Sequence, residues 1–113
     1  MELIRTIPNQ DFYESAVVRS RIVGNVAVTM ADFGFTAAEL GNALLATIGV
    51  HLGGINFLST GHAPTDVLGI PIVANAYIVI TNNVDIQRLQ FTRSSAIDSN
   101  VTIQLHWNTV GTG

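Results

Sequence analysis

Residues 100–107 read NVTIQLHW, with Val101, Ile103, Leu105 and Trp107 at odd positions and Thr102, Gln104 and His106 at even ones. Successive side chains of a strand point to opposite faces. A period of two held this long therefore predicts a half-buried β-strand, odd positions toward a core and even positions outward. Just upstream, residues 88–93 (RLQFTR) set Leu89 and Phe91 against Arg88, Gln90, Thr92 and Arg93 in the same way. The SSAIDSN segment between them is rich in turn formers, so the two runs are expected to pair as an antiparallel hairpin.

Strand signals dominate the remainder. Residues 76–81 (AYIVIT) are a continuous, largely β-branched apolar run, which predicts a strand buried on both faces or central in a sheet. It ends at Asn82-Asn83, a dipeptide suited to a turn, and NNVDI then leads into the Leu89 strand. Between residues 17 and 30, Val18, Ile22, Val26, Val28 and Met30 share one parity and Arg19 and Arg21 the other. Gly24-Asn25 inside that run is a bulge or a two-residue hairpin turn, and the hairpin is favoured because one strand would be unusually long. ALLATIGV and GINFLST read as two more strands joined through Gly53-Gly54. Only Thr36-Ala37-Ala38-Glu39 looks helical: it has capping-box spacing, and Gly41 follows so closely that a short helical turn near 36–41 is expected.

Seven or eight short antiparallel strands with turn signals at short intervals predict an all-β, single-domain β-sandwich with jelly-roll-like connections. Residues 16–113 are assigned to that domain and residues 1–15 to an extended N-terminal arm. The arm is polar and contains Pro8, yet it carries Leu3, Ile4, Ile7, Phe12 and Tyr13. These are expected to dock on the sandwich or on a neighbouring subunit.

Composition narrows the function classes. The 113 residues are 48% hydrophobic but only 12% charged, about half the usual charged share of a soluble domain. Polar uncharged residues must cover the surface, or part of it lies against another chain. Lysine is absent, all five basic residues are arginines and the formal net charge is −3, so neither nucleic acid nor anionic lipid is an expected partner. The longest low-charge run, residues 67–81, is too short to span a bilayer and is broken by Pro71 and Asn75. No signal peptide is read at the N-terminus. Without cysteine there is no disulfide framework, thiolate nucleophile or cysteine metal site.

Residues 51–66, HLGGINFLSTGHAPTD, bring His51, His62 and Asp66 close in sequence. A catalytic zinc needs about three protein ligands converging on one point. No H-x-H or HExxH spacing is present, and His106 lies on the outward parity of its strand. Ser59-Thr60-Gly61 lacks the strand–elbow–helix context of a nucleophile. The glycines have no phosphate-loop spacing, and the carboxylates fall largely where caps and turns use them. No catalytic residue, metal or cofactor is assigned, and the chain is expected not to be an enzyme. His62 and Asp66 become candidate partner contacts on an exposed loop, together with the arm residues Leu3, Ile4, Ile7, Phe12 and Tyr13. Glycan binding is the rival expectation, with Tyr13 and Tyr77 as candidate stacking groups, although Tyr77 lies in a run that reads as buried.

The short arm, the TAAELG turn and the terminal LQFTRSSAIDSNVTIQLHW, set in an all-β body, resemble the small β-sandwich accessory proteins of tailed-bacteriophage virions. Those proteins decorate or cement capsids, or build head fibres and tail parts. The resemblance implies a virion location, a homo-oligomer (a trimer favoured) and attachment to a capsid or tail protein scaffold.

Overall fold

The computed structural model describes residues 15–107, so the expected contacts Leu3, Ile4, Ile7, Phe12 and Tyr13 lie outside the described residues. Eight strands form two four-stranded antiparallel sheets: β1 Ser15–Val23, β2 Val28–Thr29, β3 Leu45–Leu52, β4 Ile55–Leu58, β5 Ile70–Ile72, β6 Tyr77–Ile80, β7 Gln90–Arg93 and β8 Ser99–Trp107. A 3₁₀ turn (Ala31–Phe33) and the helices α1 (Ala37–Asn42) and α2 (Asn83–Arg88) complete it. The fold is the expected all-β sandwich.

Sheet 1 has the order β1-β8-β3-β6 and sheet 2 the order β2-β7-β4-β5. The first strand thus pairs with the last, the second with the seventh, the third with the sixth and the fourth with the fifth. This is the pattern of one long antiparallel hairpin rolled around a common core, closed by β3–β8 and β4–β7 pairing. The inward residues of both sheets meet between them: Val101, Ile103 and Leu105 of β8, Ala46, Ile48 and Val50 of β3, Ile55 and Phe57 of β4, and Phe91 of β7. Phe33 meets Phe91 edge to face at a centroid separation of 5.7 Å, a favourable aromatic geometry.

The rolled order corrects three expectations. Although β7 and β8 are consecutive, they belong to different sheets, so residues 94–98 cross the end of the sandwich and do not close a hairpin. Gly24-Asn25 likewise lies in a crossover between β1 and β2, which also occupy different sheets. That crossover resets the parity. Val17, Arg19, Arg21 and Val23 are the inner-face positions of β1, while Val18 and Ile22 face solvent. Two arginines can face inward because β2, only two residues long, leaves that part of β1 to the 3₁₀ turn and α1. The Arg19 guanidinium lies 5.1 Å from the Phe35 ring centroid and 2.9 Å from Glu39 Oε1, and Arg21 Nη1 donates to the Asp32 carbonyl at 3.0 Å. Finally, β6 is an edge strand with Tyr77 and Val79 exposed, not a strand buried on both faces.

The expected helical turn is α1, with both arms of its capping box formed. Glu39 N donates to Thr36 Oγ1 at 3.1 Å and Thr36 N donates to Glu39 Oε1 at 2.9 Å. Where a turn was expected, Asn82 instead caps α2, its Oδ1 accepting from Val84 N at 2.9 Å and Asp85 N at 3.2 Å. The crossover between β3 and β4 is drawn tight: a Cβ on Gly53 would lie 2.6 Å from the Ile97 carbonyl oxygen, so only glycine fits between these two chain segments.

Candidate interaction surfaces

The histidine-bearing stretch is split by the fold. His51 lies near the end of β3 on the outer face of sheet 1, where its Nδ1 is 3.1 Å from Asn75 Oδ1. His62 and Asp66 sit exposed in the β4–β5 loop, which folds back over the outer face of sheet 2. Two side chains of that face hold the loop: Asn56 Nδ2 donates to the Thr65 carbonyl at 2.9 Å and Gln90 Nε2 donates to that of Gly61 at 3.1 Å. Within it, Thr65 N donates to the Leu68 carbonyl and Val67 N to Thr65 Oγ1. The loop covers Asn56, and its own Pro64 is buried. His51 and His62 therefore belong to opposite sides of the sandwich. Among the described residues, no group of three or more histidines and carboxylates is placed to hold a metal, and no helix is long and apolar enough to cross a membrane.

Among the described residues, no loop lies over the outer face of sheet 1 as this one does over sheet 2. The pairing registers place its outward residues in four rows: Ala16, His106 and Leu45; Val18, Gln104, Thr47 and Val79; Ser20, Thr102, Gly49 and Tyr77; Ile22, Asn100 and His51. None is Asp, Glu, Lys or Arg. Ser20 Oγ and Thr102 Oγ1 share a 2.7 Å hydrogen bond, so even the polar groups partly satisfy one another within the face. The middle of this face is neutral and polar, and its two edges are apolar.

Those edges continue around the sides of the molecule. On the β1 side, Val18, Ile22 and, in the first crossover, Val26 are all more than half exposed. The opposite side is built by residues 67–79, which run from the β4–β5 loop through β5, a 73–76 crossover and β6. Val67 is 89% exposed, Val73 69% and Tyr77 70%, and Leu68, Ile70 and Val79 are exposed as well, with Val67 and Leu68 in the loop over sheet 2 and Tyr77 and Val79 on the outer face of sheet 1. From Val67 to Val84 there is no charged residue, and the exposed Asp66 borders the flank. The low-charge run was visible in the sequence, but its exposure was not. Apolar residues at the edge of a sheet read like core residues when only hydropathy is considered.

No protein-family model, curated protein or solved structure matches the chain.

Proposed function

We propose that this chain is a non-enzymatic structural protein of a phage particle, one that self-associates as a trimer and attaches to or decorates a capsid or tail scaffold. The observation carrying this reading is the uncharged exterior: a whole four-stranded face without a formal charge, flanked by exposed apolar edges. Outward strand positions of a solitary soluble sandwich are ordinarily where charges gather, and contiguous apolar patches on monomers are usually contact sites. The rolled strand order adds support, because double-sheet jelly rolls with this pairing recur in capsid subunits. They also recur in lectins, so the order alone does not choose between assembly and glycan binding.

Density-purified particles from cells expressing the chain test the assignment by mass spectrometry. The chain is expected in particles in a fixed ratio to the major capsid or tail protein. Presence in the lysate with none in particles would overturn it.

The alternative reading, a carbohydrate- or receptor-binding sandwich, is favoured by one observation. Tyr77 presents an exposed ring in the row of Gly49, near the hydrogen-bonded His51–Asn75 pair. Binding on a glycan array that disappears in Tyr77→Ala would support it over the structural role.

A further inference from the structure

We infer that the outer face of sheet 1 holds a binding site for an uncharged sugar ring, floored by Gly49 and walled by Tyr77 and Thr102. This rests on the carbohydrate-binding alternative above and gives it a place and a ligand class. A particle component can display such a site, so the structural role does not stand or fall with it.

The argument begins with the glycine. Within a strand, glycine weakens the strand and ordinarily marks a bulge, a bend, a special backbone angle or the close approach of another group. The internal reasons are absent at Gly49. Its pairing runs unbroken to Tyr77 on one side and Thr102 on the other. Its φ is not positive. A Cβ there would meet only the Thr102 carbonyl oxygen within 4 Å, at an ordinary 3.9 Å. The Tyr77 ring therefore does not fold over the glycine, as a cross-strand aromatic often does. The fold admits a side chain at this position, and what the glycine provides is open space above the sheet. With strands about 4.8 Å apart, the hollow spans about 10 Å between the backbones of Thr102 and Tyr77.

The groups around the hollow match a sugar, which has an apolar C–H face and a rim of hydroxyls that both donate and accept. Tyr77, 70% exposed, offers an aromatic surface for the C–H face. On the other side, Asn100 and Gln104 flank Thr102 along β8 on the same outer face. A carboxamide, like a hydroxyl, both donates and accepts, and neither of these two has a hydrogen-bond partner among the described residues. Charge decides the class of sugar. The face has no Asp, Glu, Lys or Arg, and Arg19 and Arg21 are held on the inner side by Glu39 and the Asp32 carbonyl. A carboxylated or sulfated sugar would lose water here and gain no cation in return.

A glycan array of neutral and acidic structures, followed by calorimetric titration of the neutral ones bound, tests this on the full chain. Gly49→Val is expected to abolish binding while the melting temperature by circular dichroism stays equal or rises, because valine fills the hollow and suits a strand. Tyr77→Ala should weaken binding about tenfold and Gln104→Ala about fivefold, and both remain informative if Gly49→Val does not fold. His62→Ala, in the loop over sheet 2, should leave binding unchanged. Neutral-glycan binding that survives the Gly49, Tyr77 and Gln104 substitutions overturns this site and leaves the carbohydrate reading standing. Binding confined to acidic glycans overturns the ligand class. Absence of binding to any glycan overturns both the site and the carbohydrate reading.

Discussion

The Asn83 carboxamide joins the two helices. Its Nδ2 donates to the carbonyls of Leu40 at 2.9 Å and Ala43 at 2.8 Å, with a longer contact to Gly41, and its Oδ1 accepts from Gln87 Nε2. The last carbonyls of a helix have no partner within it, so this one side chain closes the C-terminal end of α1 from the first turn of α2. Both main contacts are partly buried, where an acceptor left unpaired costs about 1–3 kcal/mol. Asn83→Ala is expected to lower unfolding stability by about 2 kcal/mol in urea titration. Asn83→Asp should cost at least as much, since a carboxylate cannot donate to those carbonyls. A loss below about 0.5 kcal/mol in the alanine variant would mean that water replaces the amide without penalty.

At the scale of elements, what was legible depended on whether a signal was local. The box at Thr36 and Glu39 needs only residues three apart, so sequence and structure agree on α1. The alternation of β8 likewise survives, because that strand buries one face. What failed was pairing. The Leu89–Phe91 and Val101–Trp107 runs look like a hairpin because they are adjacent, but the rolled topology sends them to different sheets, and no local residue announces a crossover. Helix α2 escaped notice because Asn82 serves equally as a turn residue and as an N-cap, and the helix is too short to show a period. His62 and Asp66 do lie on an exposed loop, while the 76–81 run, expected to be buried, is an edge strand with Tyr77 and Val79 exposed. Helix α1 also carries a pH response. Backbone bonding to Thr36, aided by the Arg19 guanidinium and opposed by partial desolvation, holds the Glu39 carboxyl below its ordinary value of 4.5. The stabilisation is therefore present above that ordinary value and is lost as pH falls through the lower folded value. Thermal unfolding of wild type and Glu39→Gln between neutral pH and pH about 3 should give curves that converge as acid is added. Parallel curves would show that Glu39 titrates alike in folded and unfolded chains.

For the whole molecule, the distribution of its few charges matters more than their sum. Arg19, Arg21, Arg93, Glu39 and Asp98 are tied to one another or to backbone, at the inner side of β1 and in the β7–β8 crossover. The outer face of sheet 1 and the β5–β6 flank carry none. In the proposed self-association such surfaces would meet by removal of apolar area from water, which added salt screens hardly at all, while the formal charge of −3 on every copy would contribute a weak repulsion that salt does screen. Raising sodium chloride from about 0.05 to about 0.5 M should therefore leave the association constant within about twofold, with any change toward tighter binding. Sodium sulfate at equal ionic strength should tighten it further, because excluded salts favour burial of surface. Sedimentation equilibrium across both series measures the effect. A steep weakening with sodium chloride would place ion pairs at the contact and move the interface toward the arginine-bearing side of β1.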